Sequence, residues 1–153
     1  EATALAASGK FAEAAAAFQA LSDEAADGYA LFARFRAANA LKDTGDIDGA
    51  VQIFEGIDED PAVDDLYREL ATLLAIMHTI DSGDPEAIRA RVTPLLADNA
   101  VWRHSARELS GALALRTGDR ELAKTEFQKL ADDLLAPPGA RARATEILQI
   151  LGD

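Results

Sequence analysis

The chain has 153 residues, 49% of them hydrophobic, with no cysteine, 5 prolines and a formal net charge of −12. These figures exclude a disulfide framework and thiol chemistry, and they argue against nucleic acid, whose binding needs clustered Lys and Arg. No signal peptide and no run of about 18 apolar residues is present, so one all-helical domain over residues 1–153, rich in the helix formers Ala, Leu, Glu and Arg, is the economical reading.

Apolar periodicity and turn residues predict nine helices, at 2–8, 11–22, 26–43, 47–57, 62–80, 85–97, 100–116, 119–134 and 139–151. The first is partial. Only eight residues precede Gly9, so an upstream N-terminal segment, either an anchor or a targeting sequence, is expected before Glu1. Asp84 and Pro85 form a helix start, with Asp84 as cap and Pro85 in the first turn. Pro94 falls inside the sixth predicted helix and must kink it or end it early. The last helix turns Ile147, Leu148 and Leu151 inward and Arg141, Arg143, Glu146 and Gln149 outward, as a solvating cap over 139–151.

A short phrase recurs along these helices: Gly9-Lys10-Phe11, Gly45-Asp46-Ile47, Gly83-Asp84-Pro85 and Gly118-Asp119-Arg120, at intervals of 36, 38 and 35 residues. Behind each follows a stripe at i, i+4 and i+7, namely Ala14/Phe18/Leu21, Ala50/Phe54/Ile57, Ile88/Val92/Leu95 and Ala123/Phe127/Leu130. The phrase is a helix-turn-helix corner, in which Gly ends one helix in a left-handed conformation and an Asp starts the next. A fixed period of this size predicts a stacked α-α superhelix of about four helix pairs, because one pair cannot bury both of its faces.

The pattern of Gly45, Ile47, Ala50, Phe54 and Ile57 resembles the second-helix half of the tetratricopeptide repeat. The first-helix half departs from it: Arg34, Ala37, Ala38 and Leu41 hold the positions where the repeat has an aromatic, Leu, Gly and an aromatic, and in the fourth copy only Trp102 and Gly111 fit. From the Ala-rich start through Trp102 to Leu109 and on to the helix Arg141 to Leu151, the chain resembles the bacterial tetratricopeptide-repeat-like family that includes the ancillary subunit of the SecYEG translocon. The resemblance implies a membrane-anchored, non-enzymatic protein with its repeat domain on the periplasmic side of the inner membrane. It implies translocon subunits or periplasmic chaperones as partners. The family offers no catalytic residues. The absence of cysteine suits that compartment, with the cytoplasm as the alternative.

The residues themselves point away from chemistry. His78 and His104 lie on different helices, and although Glu108 follows His104 at i+4, no further His or Cys completes the usual zinc spacing, so no metal site is expected. His104 and Ser105 are neighbours about 100° apart on a helix and cannot act as base and nucleophile. Gly83 and Gly118 are single turn glycines rather than a phosphate loop, and Asp132-Asp133 is helix-end solvation. Neither an enzyme nor a cofactor is expected. Residues 1–65 carry 14 acidic and 4 basic side chains, a net of −10, against 13 and 11 in residues 66–153. The run Asp58-Glu59-Asp60 with Asp64 and Asp65 either attracts a basic partner or supplies helix-start carboxylates.

The leading functional expectation is a module whose concave face, lined by first helices of the pairs, binds proteins or peptides. Repeat register places Phe32, Phe35, Asn39 and Lys42 there, followed by Leu70, Leu73, Met77 and Ile80, then Ser105, Glu108, Ala112 and Leu115. The competing expectation for these stripes is that the array fills its own groove with them. A helical small-molecule or lipid carrier, which needs an enclosed apolar cavity, and a self-associating homo-oligomer are the alternatives.

Overall fold

A computed structural model of the chain describes residues 1–24 and 27–152. Among them every regular element is a helix, so the all-α expectation holds: α1 (Ala2–Ala7), α2 (Phe11–Glu24), α3 (Asp27–Thr44), α4 (Ile47–Asp58), α5 (Asp65–Thr79), α6 (Pro85–Val92), α7 (Arg103–Thr117), α8 (Arg120–Asp132) and α9 (Pro138–Leu151), with a 3-10 turn at Thr93–Leu96. The predicted start of the third helix at 26 lies outside the described residues. α5 begins at Asp65 rather than 62, and α7 at Arg103 rather than 100. Pro94 ends α6 instead of kinking it. Lacking an N–H and clashing with the carbonyl four residues back, it tightens the chain into the 3-10 turn after Val92.

Three of the four corners share one geometry. Gly9, Gly45 and Gly118 are left-handed, with φ of 77°, 90° and 82°. Their N–H groups donate to the carbonyls of Ala6, Lys42 and Leu115 at 3.1, 2.9 and 3.2 Å, and the next residues, Lys10, Asp46 and Asp119, donate to Leu5, Leu41 and Ala114 at 3.0, 3.1 and 2.8 Å. This is the Schellman closure, which satisfies carbonyls that a helix end leaves open. Asp46 and Asp119 then accept from the N–H groups of Gly49 and Leu122 at 2.9 and 3.0 Å, so the same turn starts the next helix.

The third corner departs from the expected left-handed glycine. Gly83 has no positive φ; its N–H donates to the Thr79 carbonyl at 2.7 Å, and a Cβ there would stand 3.0 Å from that carbonyl and 3.2 Å from Ile88 Cδ1. Glycine serves here for space, not handedness. The Arg116 guanidinium donates to the carbonyls of Ile80 and Gly83, closing the end of α5 in place of the missing Schellman bonds. Asp84 still caps α6 through Ala87 N–H at 2.9 Å.

The chain forms two compact units, Glu1–Ala75 and Ile76–Asp153. In the first, α2 packs on α1 and α3, and α4 on α3. Ala2, Ala14, Ala15, Phe18, Ala37 and Ala40 make one cluster, and Ala38, Ala50, Phe54, Ile57, Ala71 and Ala75 make another. Alanine on both sides of each interface lets the helix axes approach, and each buried Phe or Ile adds about 1.5–3 kcal/mol by leaving water. In the second unit α6 packs on α7, α7 on α8 and α8 on α9, around Ala114, Ala123, Phe127, Leu130, Ala140, Ala144 and Leu151. The predicted stripes are buried except at Leu21, which is 46% exposed in the last turn of α2. In α9, Leu151 is buried and Ile147 and Leu148 half-buried, while Arg143, Glu146 and Gln149 face solvent as expected and Arg141 is half-buried.

At Gly111 of α7 a Cβ would lie 2.8 Å from two ring carbons of Phe127. Gly111→Ala is therefore expected to destabilise the second unit by about 1–3 kcal/mol through overpacking, despite the ~0.5–1 kcal/mol that alanine gains in helix propensity. Gly56→Ala, whose Cβ would meet only Arg34 Nη2 at an ordinary 3.5 Å, is expected to stabilise by about 0.5 kcal/mol. Urea unfolding of both variants checks the contrast, and equal shifts in one direction would contradict it.

Candidate functional site

The residues predicted to form a binding face part company in the structure. On α3, Phe32 is 58% exposed and Asn39 is exposed, whereas Phe35 is half-buried and packs 6.1 Å from the Phe54 ring in the core cluster. One helical turn thus divides two phenylalanines between solvent and core. On α5, Leu73 is 5% exposed and Leu70 half-buried, so Leu73 is held in the interior, while Met77 is 50% exposed. On α7, Leu115 is 37% exposed and Glu108 half-buried. Glu108 accepts both Arg143 Nε and Nη2, at 2.6 and 2.9 Å, which joins α7 to α9 and holds the Arg143 guanidinium more firmly protonated than usual.

Around Phe32 the first unit presents an aromatic surface. Tyr29, one turn earlier on the same face of α3, is 79% exposed, and the Tyr67 ring from α5 meets Phe32 edge-on with centroids 6.2 Å apart and planes at 78°. Leu66 beside it is 36% exposed. Tyr29 and Tyr67 were not among the predicted site residues. The available signal was chemical: a tyrosine, with its hydroxyl, tolerates the surface better than a phenylalanine, so two tyrosines flanking Phe32 mark an interface-like face.

The acidic segment between α4 and α5 adjoins this surface. Asp60 accepts the Ala62 N–H at 3.0 Å and Arg34 at 2.9 Å, and these two bonds, the backbone one first, hold its carboxyl below the usual range. Asp64 accepts the Leu66 N–H at 2.9 Å. Arg68 donates to the Asp58 carbonyl at 2.7 Å and to Asp65 at 3.0 Å. The carboxylates therefore do supply turn and helix-start acceptors. A cleft of about 320 Å³ opens among Ala30, Leu31, Arg34, Asp60, Ala62 and Val63. Further clefts of about 470 Å³ lie along Gln19, Arg34 and Ile53 and along Lys124, Gln128 and Leu148. All three open to solvent, unlike the enclosed apolar sites that bury most of a small ligand.

In the second unit His104 Nε2 lies 2.8 Å from Asp133 Oδ2, with Arg103 at 3.6 Å from the same oxygen, and Asp133 Oδ1 accepts the Leu135 N–H at 2.9 Å. His104 thereby fastens the α8–α9 connection, and Ser105 is exposed on another side of α7. Among the described residues no group of three or more His, Cys, Asp or Glu is placed to hold a metal ion, and no helix is long and apolar enough to cross a membrane.

The His104 hydrogen bond, followed by the Leu135 N–H, lowers the Asp133 pKa below its ordinary value of 3.8. A carboxylate whose folded pKa is depressed adds stability that is present above the unfolded pKa and lost as pH falls through the folded one. Asp133→Asn is thus expected to be less stable than the parent at neutral pH, with the difference closing below about pH 4. Urea unfolding midpoints across that range measure it, and an undiminished gap in acid would contradict this role. Comparisons of the chain with protein-family models, with curated proteins and with solved structures found no match, so its function has to be inferred from its own residues.

Proposed function

We propose that this chain is a non-enzymatic protein-interaction module of the tetratricopeptide-like type, and that its binding face includes the exposed aromatic surface of the first unit. The observation that carries this reading is the exposure of Tyr29 and Phe32 on a helix whose other apolar residues are buried, as Ala33, Ala37, Ala38 and Ala40 are, or half-buried, as Leu31, Phe35 and Leu41 are. Large aromatic side chains left in water beside a filled core are a feature of protein-binding surfaces. Support for the repeat class comes from the three superposable corner closures and from the Ala/Phe/apolar stripe behind each. The superhelical stacking of about four pairs, and partners drawn from translocon subunits or periplasmic chaperones, rest on the sequence resemblance and belong to the same proposal.

Phe32 and Phe35 separate binding from folding. A photo-crosslinking phenylalanine analogue at position 32, expressed in the native cell, is expected to capture a discrete partner protein, whereas the same analogue at Gln149, exposed on α9, is not. Capture at neither position would overturn the reading, and capture of this chain by itself would turn it toward self-association. Phe32→Ala is expected to leave the urea midpoint nearly unchanged, and Phe35→Ala to lower stability by about 2 kcal/mol, less than for a fully buried ring.

A further inference from the structure

We propose that the partner segment taken at the Phe32 surface is a cationic amphipathic helix, its apolar stripe laid on Tyr29, Phe32, Leu66 and Tyr67 and its Lys or Arg side chains reaching Glu59 and Asp64. This deepens the interaction-module reading and rests on it. The apolar half of the argument is the exposure already described, with Tyr29 and Phe32 on one face of α3 and the Tyr67 ring seated against Phe32. A helix laid in such a patch is anchored by side chains spaced three and four apart.

The charge half fixes the sign of the partner. Residues 58–69 hold six carboxylates, at Asp58, Glu59, Asp60, Asp64, Asp65 and Glu69, against one cation, Arg68. The neighbouring cations are engaged within the unit: Arg34 on Asp60 at 2.9 Å, Arg68 on Asp65 and the Asp58 carbonyl, and Arg36 over the Phe18 ring at 5.2 Å. Glu59 and Asp64 are exposed and carry no salt bridge among the described residues. Hydrogen bonding Asp64 to the Leu66 N–H leaves its charge in place. An aromatic patch whose Leu66 and Tyr67 follow directly on a segment with uncompensated carboxylates favours a basic partner over an acidic one or an anionic bilayer.

The test uses labelled synthetic helices of about 18 residues, five turns long, with one leucine stripe and either lysines or glutamates on the polar face, titrated with the protein by fluorescence anisotropy. The lysine helix is expected to bind, with affinity falling severalfold between about 0.05 and 0.3 M salt, and the glutamate helix and anionic vesicles to show no binding. Phe32→Ser is expected to weaken the lysine helix about tenfold or more. The pair Glu59→Gln and Asp64→Asn, in which Asn keeps an acceptor for the Leu66 N–H, is expected to weaken it severalfold and flatten the salt dependence, while Ile150→Ser, at an 83% exposed position on α9, changes nothing. Lysine-helix binding untouched by Phe32→Ser marks bulk electrostatics and overturns the proposal, as do equal binding of both helices and binding of neither. If crosslinks at position 32 persist in those cases, the interaction face stands and only its partner chemistry is wrong; if they are absent too, the underlying reading fails.

Discussion

Each helix pair is organised by a size match across its corner. Counting from the corner glycine in three of the four pairs, the residue seven before is small and the residue nine after is aromatic, and the two share one core. Gly111 lies under the Phe127 ring, Ala38 shares a core cluster with Phe54, and Ala2 shares one with Phe18. A Schellman closure brings the outgoing and incoming helices together within a turn of the glycine, so the space between them is narrow there. One large ring fills it if the opposite residue has little or no side chain. Two large residues would force the helices apart and break the closure, and two small ones would leave a void.

The third copy shows the same constraint met differently. Its equivalent positions are Ile76 and Val92, both buried, with the larger side chain now on the first helix. Its glycine is right-handed in sign and crowded, and Arg116 supplies the donors that the Schellman bonds give elsewhere. The incoming helix is short because Pro94 ends it, and a 3-10 turn carries Leu95 back into the interior. Three departures in one repeat are thus one local solution: changing the sizes at the corner changes the turn, and changing the turn transfers the closing of α5 to a side chain from α7.

Much of this was legible in the sequence because it rests on local rules. The glycine period marked the corners, eleven of the twelve residues in the i, i+4, i+7 stripes are buried, and Asp84 and Pro85 marked a helix start that the structure contains. What local rules cannot supply is the partner across an interface. Phe32 and Phe35 are three residues apart, about 60° around α3, so periodicity treats them alike. The Phe54 ring packs against Phe35 in the core, whereas Phe32 meets the half-buried Tyr67 ring edge-on and stays 58% exposed. Leu73 and Met77 are divided in the same way on α5. The candidate site was therefore legible as a list of helices and illegible as a list of exposed residues.

The acidic segment can supply helix-start acceptors and attract a basic partner at once, because the two roles do not exclude each other. A cap uses one lone pair of a carboxylate and leaves its charge unaltered. Asp60 and Asp64 accept backbone N–H groups, and the hydrogen bonds to Asp60 hold it more firmly as an anion. Only a cation within a few ångströms offsets such a charge, and among the described residues the arginines reach Asp60 and Asp65 while Glu59 and Asp64 carry no salt bridge. Asp64 is consequently both a turn acceptor and an unpaired charge, whereas Asp60 has Arg34 beside it. Replacing such carboxylates by alanine would confuse the two effects, whereas amides keep the acceptor and delete the field.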